Sequence, residues 1–91
     1  MPYIDKARRA DIDPLLTSVL EAVQHMTDGE MNYVLTKLVM AHTTHGGEIA
    51  PRYADYEAAI GLVECVKLEL YRKAVAIYED AQAKKNGEVF V

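Results

Sequence analysis

Ninety-one residues leave room for one modest core and not for two, so residues 1–91 are read as a single domain. With 51% hydrophobic and 26% charged residues the composition excludes a disordered chain, and a net charge of −4 disfavours a general nucleic-acid binder. One cysteine, Cys65, permits neither an internal disulfide nor a cysteine-built zinc site, and fits a reducing cytoplasm.

The start, Pro2, Tyr3, Ile4, Asp5, carries no basic stretch followed by an apolar run. No stretch of about 18 uncharged apolar residues follows either, so the chain is expected to be neither exported nor membrane-spanning. Pro2 to Ile4 and Glu88 to Val91 are strand-like in composition and suited to pair or to dock. Asp5 to Asp11 is charged and suited to one helical turn or two, and its basic cluster of Lys6, Arg8 and Arg9, balanced by Asp5, Asp11 and Asp13, reads as a solvated, charge-balanced turn.

Asp13 before Pro14 has the residue types of a helix start. Leu15, Leu16, Val19, Leu20, Val23 and Met26 then recur at three- and four-residue spacing, which predicts a helix from Pro14 to about His25. Thr27, Asp28 and Gly29 interrupt the pattern, with Asp28 as the expected cap of the next helix. Met31, Val34, Leu35, Leu38 and Val39 predict that second helix, ending near His42. So short a connection predicts an antiparallel hairpin of the two.

Thr43 to Arg52, with Gly46, Gly47 and Pro51, lacks any period and reads as a loop. His42 just before it, with His45 and Glu48 within it, has metal-ligand chemistry, but no motif spacing supports the set and solvated loop residues fit better.

From Tyr53 to about Lys85 no proline intervenes, and Asn86 and Gly87 supply a stop, which predicts one long helix. At about 100° per residue, Ala59, Val63, Val66, Leu70, Ala74 and Ile77 share a stripe, read as the core face. Gly61 inside the helix suggests a close approach or a bend. At 1.5 Å per residue the helix would measure roughly 45 to 50 Å, more than its two short neighbours can shield. That mismatch points to a homo-oligomeric helical bundle.

Beside the stripe runs a polar line of Glu64, Lys67, Tyr71 and Tyr78. Its plain reading is a set of helix-stabilising pairs, Glu64 with Lys67 and Glu69 with Lys73. Its functional reading joins it to Asn32, Tyr33 and Lys37, and to Arg72, around a pocket for a planar, anionic, nucleotide-like ligand. No nucleophile with an adjacent base, phosphate-cradling glycine loop or paired carboxylates are identifiable, and no cofactor is implied. Cys65, among Leu62, Val66 and Leu68, reads as a packing residue.

The opening Met1 to Ile4, the segment Gly29 to Tyr33, the run Ile60 to Arg72, the pair Tyr78 and Glu79, and the end Asn86 to Val89 together resemble a family of small uncharacterised proteins of phages and bacterial genomes. The resemblance covers nearly the whole chain and implies a compact, stand-alone, phage- or prophage-type protein, with no activity attached. Its motifs include Asn32, Tyr33, Glu64, Lys67, Glu69, Tyr71, Arg72, Tyr78 and Glu79. Members carry a proline directly before the Tyr-Glu pair, where this chain has Ile77, so the helix is expected to continue through that point. The reading is thus an all-α, non-enzymatic binding or assembly protein, with small-ligand binding as the alternative.

Overall fold

A computed structural model describes residues 2–90. Met1 of the opening segment and Val91 of the strand-like end lie outside the described residues. The described residues are all-helical: α1 is Lys6–Val23, α2 Asp28–Thr43, α3 Tyr53–Leu70 and α4 Ala76–Asn86, with a π turn at Tyr71–Val75. No strand forms among them, so Pro2 to Ile4 and Glu88 to Phe90 are irregular ends. The chain divides into two units, Pro2–Ala59 and the stretch from Ile60 onward, which are taken in turn.

In the first unit, α1 begins eight residues before the expected start at Pro14, which lies inside the helix. A mid-helix proline costs about 3 kcal/mol against alanine, but the preceding Lys6, Ala7, Arg8, Arg9 and Ala10 are strong helix formers. The Arg8–Asp11 ion pair, 3.5 Å apart, adds support one turn on. The basic cluster is therefore helical, the helical form expected for Asp5 to Asp11.

Between α1 and α2 the cap is Thr27, not Asp28, which is the first helical residue. The Thr27 hydroxyl accepts from the Glu30 N–H at 3.2 Å, and the Glu30 carboxylate accepts from the Thr27 N–H at 2.9 Å. This reciprocal box satisfies two N–H groups that the first turn would otherwise leave free. Met26 and Met31 occupy the flanking positions of a hydrophobic staple, and both are half-buried.

At the other end of α2, His45 donates to the His42 carbonyl and Gly46 to the Ala41 carbonyl at 2.8 Å, the pairing of a Schellman motif. His45 holds φ 50°, and Gly46 and Gly47 follow at 73° and 94°. Glycine is the usual residue where His45 sits, because a side chain crowds the following carbonyl in that region.

Apolar packing within the single chain is slight. Among the described residues no hydrophobic side chain is buried, and only Thr43 falls to 8% exposure, its hydroxyl donating to the Val39 carbonyl at 2.8 Å. Leu15, on the expected core face of α1, is 77% exposed. Half-buried Ile12, Val23, Val34 and Val39 are as far as apolar burial goes in α1 and α2 beyond the staple.

Helix α3 starts on Arg52, whose N–H donates to the Asp55 carboxylate at 2.8 Å. Asp55 thus supplies half of a capping box. The helix runs into the π turn and on into α4 without leaving right-handed helical angles, Leu70 at φ −62° and Ala76 at −61°. In sum, one helix spans Tyr53 to Asn86, as the absence of breakers predicts, and it continues through Ile77.

The π turn alters which residues share a face. The Ala76 N–H reaches the Tyr71 carbonyl, five residues back, so one extra residue is absorbed and everything after it is set back by about 100°. The apolar stripe of Val63, Val66 and Leu70 therefore continues through Ala74, Val75 and Tyr78, within about 90° of one another. Ile77, placed on it by a constant-pitch wheel, rotates off. The stripe is not a core face within the chain: Val66 is 61% and Leu70 64% exposed. Nothing lies within 4 Å of a side chain built at Gly61, so no close approach occurs there.

Candidate functional site

The residues singled out by sequence fall into two groups, one in each unit. On α2, Asn32 accepts from the Thr36 hydroxyl through its backbone carbonyl at 2.8 Å and through its side chain at 3.4 Å. One position on, the Lys37 ammonium lies 5.7 Å from the centre of the Tyr33 ring, within cation–π range. The four-residue spacing of a helical turn produces both contacts. Tyr33 also walls a shallow hollow of about 430 Å³ with Met26, Gly29, Glu30 and Val34.

That hollow sits on the capping box. The Thr27 N–H, then the Thr27 hydroxyl, stabilise the Glu30 carboxylate and hold its pKa below the usual glutamate value. The Glu30 carboxylate is committed to the helix end.

On the long helix, Lys67 and Glu64 pair at 3.0 Å across one turn. Glu69 takes Arg72 rather than the expected Lys73, with the guanidinium donating at 2.7 Å and 3.4 Å to its two oxygens. The fork geometry of arginine allows that two-point contact, and lysine cannot match it. Glu69 is the less exposed partner of this pair, at 24%.

The π turn redraws the polar line as it redraws the stripe. Glu64, Lys67 and Tyr71 remain aligned within about 60°, and Glu79 joins them. Tyr78 leaves the line for the apolar stripe. Within the line Glu64 and Lys67 form an exposed intrahelical pair, of a kind that contributes about 0.2–0.5 kcal/mol to a helix.

Beyond the expected stop at Gly87, two features were not anticipated from sequence. Past α4, Gly87 at φ 97° turns the chain, and the Glu88 carboxylate accepts from the N–H groups of Val89 at 2.8 Å and Phe90 at 2.9 Å. The Phe90 N–H foremost, then that of Val89, lower the Glu88 pKa. A hollow of about 330 Å³ lies between this tail and α4, walled by Glu79, Gln82 and Asn86 among others. The Asn86-Gly87 pair was its sequence signal. The second feature is the Asp55 carboxylate, whose pKa is lowered chiefly by the Arg52 N–H, against a rise from desolvation, and further by the Arg52 guanidinium.

His42, His45 and Glu48 are not assembled as ligands; among the described residues no group of three or more His, Cys, Asp or Glu could hold a metal ion. Cys65, expected to pack, is exposed. No helix among the described residues is long and apolar enough to cross a membrane.

The family model described as "Domain of unknown function (DUF6899)" matches residues 1–89, and the chain belongs to that family. Comparison with curated proteins and with solved structures returns no match.

Proposed function

We propose that this member of a family of unknown function is a non-enzymatic helical assembly protein, and that its Tyr53–Asn86 helix forms the interface between copies. One observation carries the reading: Val63, Val66, Leu70, Val75 and Tyr78 line one face, and each is exposed in the single chain. Such a face loses roughly 25 cal/mol for every Å² of apolar surface left in water, and oligomerisation removes that cost. The polar row beside it, with its Glu64–Lys67 pair, suits the rim of such an interface, where exposed ion pairs set orientation more than affinity. An origin among phage or prophage proteins and a cytoplasmic setting belong to this reading and rest on sequence alone.

Sedimentation analysis tests it. A dimer or larger species at micromolar concentration is expected, and a clean 10.2 kDa monomer would overturn it.

A second reading, binding of a small anionic ligand, is favoured by the Tyr33–Lys37 pair at the edge of the α2 hollow. There an aromatic face and a cation stand together, as recognition of a planar anion requires.

A further inference from the structure

Charge along the long helix is divided end to end. From Tyr53 to Glu69 stand four acids, Asp55, Glu57, Glu64 and Glu69, against the single base Lys67, a net of −3. From Leu70 to Asn86 stand four bases, Arg72, Lys73, Lys84 and Lys85, against Glu79 and Asp80, a net of +2. The sign changes at Leu70, which is also the middle of the exposed apolar stripe from Val63 to Tyr78.

We infer that the long helix pairs antiparallel with the same helix of a second copy, with Leu70 at the two-fold axis. The inference rests on the assembly reading above and adds its geometry. Antiparallel pairing sets each acidic half against the partner's basic half, whereas a parallel pair would stack like on like along its whole length. The helix dipoles act in the same direction, since antiparallel neighbours put the positive end of one beside the negative end of the other.

The stripe fits the same axis. With Leu70 on its counterpart, Val66 comes opposite Val75 of the second copy and Val63 opposite Tyr78. That match depends on the π turn, because a constant α-helical pitch would bring Ile77 to the seam and carry Tyr78 away from it. The isologous arrangement also closes on itself, as a stable dimer must.

Spin labelling decides the orientation. A nitroxide on Lys85→Cys, in a Cys65→Ser background, reports one label-to-label distance per dimer. At 1.5 Å per residue on either side of Leu70, the antiparallel pair predicts about 40 Å, and a parallel pair in register predicts less than about 20 Å. A distance under about 25 Å in a species that sediments as a dimer would overturn the antiparallel inference and leave the assembly reading standing. A monomer with no dipolar coupling, as when α1 or α2 of the same chain covers the face, would overturn both. Association should also weaken several-fold between 0.1 M and 1 M salt, where the screening length falls from about 10 Å to about 3 Å. Salt-insensitive association would remove the charge argument.

Discussion

The Ala76 N–H bonds to the Tyr71 carbonyl, five residues back, where an unbroken α-helix would have it reach Arg72. A five-residue span is a wider turn, and it fixes the angular offset between the two stretches of helix that it joins.

Removing one residue from this turn should restore an ordinary α-helix. A chain lacking Lys73 is expected to keep its far-ultraviolet circular dichroism and to leave Ala76 to Asn86 on the faces they hold now, because the deletion takes out the one residue that the wide turn absorbs. Tyr78 then stays on the stripe and Ile77 stays off it. The measurement is sedimentation beside dichroism: helicity and association should both hold, and a changed association would mean that the faces had rotated. Loss of the helical signal would mean that the wide turn is needed for the helix itself.

Thr27 and Glu30 secure the start of α2. Thr27→Ala should lower stability to urea by about 1 kcal/mol, the usual worth of such a cap. The pH dependence has a defined sign. Glu30 has a lowered pKa in the fold, so its stabilising effect is present above the unfolded value, about 4.3 for a glutamate, and is lost as pH falls through the folded value. Asp55 and Glu88 act in the same direction. Stability should therefore decline on acidification below about pH 4.5, and Glu30→Gln should flatten that decline.

His45 occupies a backbone region that disfavours side chains. His45→Gly is expected to stabilise the chain by up to about 1 kcal/mol, the gain being limited by glycine's greater freedom when unfolded. His45→Val should destabilise by about 1–2 kcal/mol, because a branched Cβ fits that region worse. Urea midpoints of the three chains give the order.

Leu70 separates an isolated helix from an assembled one. Substitution of an exposed leucine in a monomer alters stability by no more than about 0.5 kcal/mol. At the centre of an interface, Leu70→Asp should weaken association by at least about 2 kcal/mol, some thirty-fold or more. Sedimentation across a concentration series reads the difference.

For the ligand reading, a nucleotide or cyclic nucleotide at 100 times its dissociation constant should stabilise the fold by about 2.7 kcal/mol, visible as a rise in melting temperature. Tyr33→Ala and Lys37→Ala should each abolish the rise. A screen with no shift would leave that reading without support.

Much of the fold is legible in the residues. The run without breakers from Tyr53, closed by Asn86 and Gly87, marks the long helix, and Met31 to Val39 mark α2. Other parts depend on balances that a pattern does not show. Pro14 reads as a start because proline favours first turns, yet the helix formers before it extend α1 back to Lys6. Asp28 reads as a cap, but Thr27 wins because Glu30 stands three residues after it to complete the reciprocal pair. The π turn is invisible to a wheel of constant pitch, so Tyr78 and Ile77 exchange faces. Glu64, Lys67 and Tyr71 keep the alignment expected of them, because they precede that turn. Asn32, Tyr33 and Lys37 keep theirs for the simpler reason that α2 is regular throughout.

His45, Gly46 and Gly47 form three successive residues of the opposite hand. A right-handed coil growing from either side meets a stretch that it cannot convert without turning all three over, so helix propagation halts there. The segments on its two sides must then nucleate separately, and their amide protons should exchange as two distinct cooperative populations rather than one.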